Sequence, residues 1–139
     1  MKVDMEIRIQ HLGDVKFAAT ARGHRVVCDQ PATNGGSDSA MTPPEFLLAS
    51  LGTCAGFYAA QYLKNHKLSQ VGLEVVVNAE KAAAPARLGK FHVDVFAPGL
   101  APEHEAGMMR AVNACLIKNT LAMPPVIETA LHTHEPARV

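Results

Sequence analysis

The sequence predicts an α+β domain in which two helices pack against a mainly antiparallel sheet. Short segments that alternate between apolar and polar side chains are separated by glycine- and proline-containing turns, which is typical of strands. Two longer segments carry helix-start signals and apolar residues at helical spacing instead. The predicted order is β-β-β-α-β-β-α-β, within a single domain that spans residues 1–139.

The first thirty residues predict a three-stranded meander. Residues 3–12 alternate cleanly, which is typical of a half-buried antiparallel strand. Turns at 13–14 and around Gly23 separate this segment from two further strands, at 15–21 and 24–30.

A long helix is predicted after a polar, turn-rich loop at 30–41. Thr42 is its expected N-cap, Pro43 its first residue, and Glu45 completes a capping box. The helix is expected to end near 64–66, where basic residues suit its C-terminal dipole. Its uncharged centre is nearly long enough to span a membrane, but its polar residues and end signals favour a core helix, buried on nearly every side.

The second half of the chain predicts two strands, a helix and a last strand. The strands are expected at 71–80 and 89–97, and the helix at 102–122. A proline pair ends this helix, and the segment 126–134 predicts the final strand. The apolar positions of the second helix include Met108, Ala111, Val112 and Cys115.

Cys54 lies among small residues in the middle of the first helix, between Gly52 and Gly56. Glycines spaced four apart let another backbone approach closely, so we expect close helix packing here, with a second subunit as the natural partner. Composition alone also allows Cys54 to be a small buried apolar residue, and the same holds for Cys115. Cys28 ends a strand and is assigned no role.

A reactive thiol at Cys54 requires a stabilising neighbour, because an apolar environment raises the pKa of a thiol. Arg22 and Arg25, around the turn between the second and third strands, are the candidate cations, although both are ordinary turn residues otherwise. Glu45 lies nine residues before Cys54, about 180° around the helix. It is therefore a capping glutamate, or a residue that orients a third group.

The charge and composition disfavour several classes of partner. The 139 residues include 13 acidic and 13 basic side chains, so the formal net charge is zero, and neither nucleic acid nor a membrane is expected as a partner. His132 and His134 share one face of the last strand, but no third metal ligand accompanies them. Three cysteines, and an N-terminus without a signal-peptide pattern, predict free thiols in the cytoplasm.

Three motifs in the same order resemble the OsmC/Ohr family, the osmotically inducible protein C-like and organic hydroperoxide resistance proteins. TPPEFLLASLGTC at 42–54 resembles the family's P-x-E-L-L-x-A-x-x-x-C helix start. VVCDQPATNGGSDSAMTP at 26–43 is similar to its strand and glycine loop, and ACLIKNTL at 114–121 to its second cysteine motif. The spacing between Glu45 and Cys54 is one residue shorter than in the well-known peroxidase branches, so the chain is more similar to a third, less characterised branch.

The resemblance implies an intertwined homodimer with its active sites at the subunit interface. It also implies thiol-dependent reduction of organic hydroperoxides in oxidative stress defence, with no metal or organic cofactor and an external dithiol as reductant. Carried over by motif, Cys54 is the peroxidatic thiol and Cys115 the resolving thiol. Glu45 matches the glutamate that orients an arginine, for which Arg22 is the first candidate and Arg25 the second.

Two other hypotheses stay open from the residues. The first is a non-enzymatic dimer that binds a small apolar or thiol-bearing ligand in the same interface pocket. The second is a purely structural dimer. Only the peroxidase requires a lowered pKa at Cys54 and a disulfide with Cys115.

Overall fold

The computed structural model of the chain describes residues 2–137, and within them it has five strands, three helices and two short 3-10 turns. The elements are β1 (Arg8–Gly13), β2 (Lys16–Ala21), β3 (His24–Cys28), α1 (Pro43–Asn65), β4 (Glu74–Ala82), β5 (Arg87–Phe96), α2 (Glu105–Asn113) and α3 (Leu116–Ala122). Both sheets are antiparallel, with the orders β1-β2-β3 and β4-β5. The predicted α+β class and the order of its first seven elements are confirmed.

The strands β1, β2 and β3 form a separate sheet, which we call the arm. Ile9 pairs with Ala19, which in turn pairs with Val26, so these three side chains share one face. Ile9 is 57% exposed and Val26 is 52% exposed. No extensive contact joins the arm to a helix or to β4 and β5 within residues 2–137. The predicted meander is therefore confirmed, but its first strand begins at Arg8 and not at residue 3, and it is exposed and not half-buried, because its own chain leaves the apolar face of the arm uncovered.

The remaining elements form the body of the protein, where α1 lies against the β4-β5 hairpin and α2. One stripe of α1 is buried, at every fourth residue, and consists of Leu51, Ala55, Ala59 and Leu63. The last three of these pack with Met108 and Val112 of α2 to form the core. A stripe with this spacing follows from 3.6 residues per turn and places one face of the helix on the sheet.

The expectation that α1 is buried on nearly every side is wrong for the single chain. By length and composition the helix could cross a membrane, and 22% of its most apolar stretch is buried. Phe57 is 57% exposed, and Leu47 is also exposed. One hairpin and one short helix can cover only one side of a helix, so the rest of its apolar surface points away from the body.

The glycine pair of α1 faces a strand of the same chain. A Cβ added at Gly52 would lie 2.9 Å from Cγ2 of Val77, and one at Gly56 would lie 3.5 Å from Cγ2 of Val75. Both valines belong to β4. The expected close approach therefore exists, but the expectation that a second subunit's helix causes it is wrong. A helix that packs closely on a strand with branched side chains also requires residues without a Cβ at the contact.

The predicted second helix is divided in two. Ala114 and Cys115 interrupt it, and Cys115 has an extended backbone with ψ of 124°. The Cys115 side chain accepts a hydrogen bond from the backbone N–H of Lys118 and so becomes the N-cap of α3. Placing Cys115 within an unbroken helix was wrong. The sequence has no glycine or proline at the break. The helix can restart there because the Cys115 sulfur accepts a hydrogen bond from the first turn of α3.

The last predicted strand is not part of either sheet. The segment 126–134 has no regular secondary structure, bends at 133–134, and pairs with no strand within residues 2–137. Ile127 is 84% exposed and Leu131 is 90% exposed. Strand propensity alone does not make a strand, because a strand also needs a neighbouring edge, and this segment pairs with none within residues 2–137.

The two glycines of α1 give a matched test of the packing on β4. We expect Gly52→Ala to be less stable than Gly56→Ala by about 1–3 kcal/mol, because its methyl group overlaps a side chain of a packed core. The Gly56→Ala methyl group meets only ordinary contact distances. Its gain in helix propensity of about 1 kcal/mol should therefore leave stability unchanged or raised. Urea unfolding at one protein concentration measures both variants, and equal stabilities would contradict the packing described here.

Candidate thiol site

Cys54 and Cys115 are in contact in the structure. Cys54 lies in the middle of α1 and is half-buried, whereas Cys115 is 1% exposed. The break before α3 directs Cys115 and the amides that follow it towards α1. The two thiols lie close enough for each to shift the pKa of the other. Two residues that are 61 positions apart in the sequence thus share one site.

The site favours a thiolate at Cys54. Burial raises the pKa of this thiol, but hydrogen bonds from Ile117 N–H, Cys115 S–H and Leu116 N–H outweigh burial, and the pKa is lowered overall. All three donors stabilise the negatively charged sulfur, and hydrogen bonding to the charged form of a thiol lowers its pKa. The backbone groups at the start of α3 thus supply what sequence reasoning assigned to an arginine.

The site disfavours a thiolate at Cys115. Burial raises the pKa of the Cys115 thiol, and the adjacent Cys54 raises it further. The backbone N–H groups of Lys118 and Ile117 lower it only in part, so the pKa is raised overall. Two neighbouring thiols with opposite shifts divide into one nucleophile and one proton-bearing partner.

Glu45 caps α1, as one of its two sequence interpretations predicts. One carboxylate oxygen of Glu45 accepts hydrogen bonds from the backbone N–H and from the hydroxyl of Thr42, both at 2.9 Å. The Glu45 N–H donates to the Thr42 hydroxyl at 3.5 Å, which completes the capping box. The hydrogen bonds from the Thr42 N–H and hydroxyl lower the pKa of Glu45. Within residues 2–137 it forms no salt bridge with an arginine.

Neither candidate arginine touches the thiols of its own chain. Arg22 occupies the β2-β3 turn with φ of 52°, and Arg25 pairs with Thr20 on the arm. Both are exposed, and neither forms a salt bridge within residues 2–137. Within its own chain, neither Arg22 nor Arg25 therefore supplies the cation expected beside Cys54.

Sequence reasoning missed the amides of Leu116 and Ile117. Each belongs to the first turn of α3, where backbone N–H groups have no partner within the helix. Only the break at Cys115 frees them, and the sequence has no signal for that break. The motif ACLIKNTL identified the region around the second cysteine, but it did not show which of its backbone atoms face Cys54.

An open groove of about 1000 Å³ lies between α1, β5 and the α2-α3 pair. Its walls are largely apolar, Cys115 lines it, and Lys118 lies at the same wall. The Lys118 ammonium donates a hydrogen bond of 2.6 Å to the side chain of Asn113. The groove gives apolar molecules or apolar protein surface access to this side of the cysteine pair. Its main apolar residues are Leu47, Leu51, Phe91, Val93, Met109, Val112 and Leu121.

The other candidate residues form no site. His132 and His134 lie edge to face with 5.5 Å between ring centroids, but no group of three or more side chains that could hold a metal ion exists within residues 2–137. Cys28 is half-buried at the end of β3, where its thiol makes only a long contact of 3.9 Å with the Asp29 carbonyl.

Comparison with known proteins identifies the family. The family model of OsmC-like proteins matches residues 36–130, which include both cysteines of the site. The chain belongs to the OsmC-like protein family. No match was found among curated proteins.

Solved structures share the OsmC-like fold at low sequence identity. A Psychrobacter arcticus protein whose name links it to osmotic stress and detoxification has a TM-score of 0.77 and 19% identity, covering 86% of this chain and 90% of that one. An OsmC-like protein of Mycoplasma pneumoniae has a TM-score of 0.68 and 18% identity over 88% and 89% of the two chains. An organic hydroperoxide resistance protein of Legionella pneumophila has a TM-score of 0.59 and 16% identity over 86% and 91%.

The opposite pKa shifts give a direct test of this OsmC-like site. In a Cys28→Ser background, the thiolate absorbance of the Cys115→Ser variant should rise at a pH below the ordinary thiol value of about 8.5, because Cys54 remains hydrogen-bonded. The Cys54→Ser variant should ionise only above that value, because Cys115 is buried. Ultraviolet titration measures both.

A third variant isolates the side-chain donor. Serine at position 115 can still donate to Cys54, whereas Cys115→Ala removes the donor and should raise the pKa of Cys54 relative to Cys115→Ser. An unchanged pKa would mean that the α3 amides alone stabilise the thiolate.

Proposed function

We propose that this OsmC-like protein is a thiol-dependent peroxidase that reduces organic hydroperoxides in oxidative stress defence. The observation that carries the proposal is the contact between Cys54, whose pKa is lowered, and Cys115, whose pKa is raised. Peroxide reduction needs a nucleophilic thiolate and a second thiol within reach, and this pair has that chemical arrangement.

The proposed reaction proceeds in two steps at these sulfurs. The Cys54 thiolate attacks the distal oxygen of the hydroperoxide, the O–O bond breaks, and the alkoxide leaves and takes a proton to become an alcohol. Cys54 is then a sulfenic acid. The Cys115 sulfur attacks it, water leaves, and a Cys54–Cys115 disulfide forms. An external dithiol reduces this disulfide by thiol–disulfide exchange and becomes a disulfide itself. We place this cycle in the cytoplasm.

We also propose that two copies of the chain form a homodimer with each thiol site at the interface. The uncovered apolar face of the arm and the exposed Phe57 of α1 support this, because such surface is costly to leave in water. In this arrangement the arm of one copy brings Arg22, or Arg25 as the second candidate, to Cys54 of the other. Glu45 would orient that arginine with the carboxylate oxygen that does not cap α1.

The groove favours a second candidate function. An apolar groove of about 1000 Å³ that reaches Cys115 could hold a small apolar or thiol-bearing ligand without any turnover. This alternative requires neither a disulfide nor consumption of peroxide.

One experiment separates the two functions. Reduced protein treated with an equimolar amount of cumene hydroperoxide should rapidly form a Cys54–Cys115 disulfide, identified by peptide mass spectrometry. Cys54→Ser should abolish the disulfide and peroxide loss, whereas Cys28→Ser, the matched control, should behave as wild type. If both thiols stay reduced while the peroxide persists, the peroxidase proposal fails and the ligand-binding alternative is favoured.

A mixed dimer tests whether the arginine acts across the interface. A heterodimer of one Cys54→Ser chain and one Arg22→Ala chain should keep about half of the wild-type rate, because its intact Cys54 faces the intact Arg22 of the other chain. If the two residues act within one chain, both sites are defective, only one of them retains Cys54, and the rate should be about half that of the Arg22→Ala homodimer. The same pairing with Arg25→Ala identifies which arginine contributes.

A further inference from the structure

Asp29 is the one buried charged side chain within residues 2–137, at 1% exposure. One carboxylate oxygen accepts four hydrogen bonds, from the backbone N–H and the hydroxyl of both Ser37 and Ser39, at 2.7–3.2 Å. A buried carboxylate is costly unless such donors replace its water. Four donors from one loop on a single oxygen thus make Asp29 the anchor of that loop.

The loop itself is folded tightly around this carboxylate. A Cβ at Gly36 would collide with the backbone carbonyl of Gln30 and would lie 2.7 Å from Oδ1 of Asp29. The N–H of Asp38 donates to the Gln30 carbonyl at 3.0 Å, and the N–H of Asp29 donates to the Met41 carbonyl at 3.2 Å. The loop therefore closes on itself, and its last residue lies beside its first.

The closed loop joins the arm to α1. Asp29 directly follows β3, and Met41 directly precedes the Thr42 cap of α1. Because no extensive contact joins the arm to the helices or to the β4-β5 hairpin, this loop is what sets the angle between the arm and α1. Arg22 lies on one side of this junction, and Cys54 on the other.

We infer that Asp29 is a positioning residue of the thiol site, because its carboxylate holds the 30–41 loop closed and thereby aims the arm, with Arg22, at Cys54 of a second copy. This inference rests on the proposed function. Asp29 does not touch substrate or sulfur, and it acts through the arm. Hydrogen bonds from Ser39 N–H and hydroxyl, and then from Gln30 and Ser37, hold the pKa of Asp29 well below its usual range.

The sign of the pH dependence follows from that lowered pKa. The stabilisation by Asp29 is complete above the unfolded aspartate value of about 3.9. It is lost only as the pH falls through the lower pKa of the folded state. The loop should therefore stay closed throughout the pH range in which the thiols react.

The test uses Asp29→Asn, with Asp38→Asn as its matched control. Asp38 is an exposed acid of the same loop, with φ of 52°, a conformation that asparagine adopts readily. Asp29→Asn replaces the carboxylate with a neutral amide, whose single oxygen accepts the four hydrogen bonds more weakly and whose NH2 group donates instead of accepting, so the loop should open and become sensitive to limited proteolysis within 30–41. Its Cys54 pKa should rise, and its reaction with cumene hydroperoxide should slow about tenfold or more, since small misplacements of reacting groups have effects of this size.

A double variant separates positioning from a local structural role. If Asp29 acts by aiming Arg22, then Asp29→Asn combined with Arg22→Ala should be no slower than Arg22→Ala alone. The inference is overturned if the double variant is slowed by the product of the two single-variant factors. It is also overturned if the loop opens in Asp29→Asn while the Cys54 pKa and the reaction rate stay unchanged. An Asp38→Asn variant that matches Asp29→Asn would overturn it too, because then the loop's charge and not this carboxylate matters.

Two further measurements apply if Asp29→Asn does not fold or if the wild-type protein does not consume peroxide. Should Asp29→Asn fail to fold, Ser39→Ala removes one of the four hydrogen bonds and should give smaller shifts in the same direction. Should wild-type protein not consume peroxide, the proposed function fails by itself. The Cys54 pKa, measured in Asp29→Asn and Arg22→Ala, then still decides whether the loop aims the arm.

Discussion

The close packing of α1 on β4 is the constraint on which the rest of the site depends. Gly52 and Gly56 let the helix lie directly on Val75 and Val77. Cys54 is two residues from each glycine, about 200° around the helix, and so lies on the opposite side. Any residue with a side chain at position 52 would push the helix away from the strand and shift the thiol. The same contact that builds the body therefore presents Cys54 to α3.

On that opposite side of α1, burial and hydrogen bonding have opposing effects on the pKa of the Cys54 thiol. Burial penalises a thiolate on either cysteine, but the α3 amides and the Cys115 S–H favour the charge on Cys54. The break before α3 creates this asymmetry, because it frees backbone N–H groups and makes Cys115 a cap. The thiol site of this OsmC-like chain therefore already has a directional pair of cysteines before any arginine is added.

The single chain nevertheless leaves much apolar surface without cover. The arm shows an apolar face, α1 exposes Phe57, and the apolar 126–134 segment has no strand partner within residues 2–137. These surfaces occur on different elements, so local rearrangement of one loop would not bury them together. In the proposed dimer these surfaces are covered only if the arm keeps a set angle to the body, which is why we assign a positioning role to the buried carboxylate of Asp29 at their junction.

The sequence by itself determined the structural features that depend only on residues close together in the chain. The capping box of Thr42 and Glu45 and the extent of α1 are local patterns, and the structure confirms both. The alternation at 3–12 forms a strand only from Arg8 onward. The two cysteine motifs likewise marked the thiols. These features are encoded within a few residues, where dihedral preferences and hydrogen bonds act directly.

Tertiary structure decided everything that joins distant parts of the chain. The partner of the α1 glycines, the contact between Cys54 and Cys115, and the closure of the loop on Asp29 each depend on how elements meet. The break at Cys115 and the unpaired 126–134 segment differ from the sequence prediction for the same reason. A periodic pattern states which face is apolar, but only packing determines what that face touches and where a helix must turn.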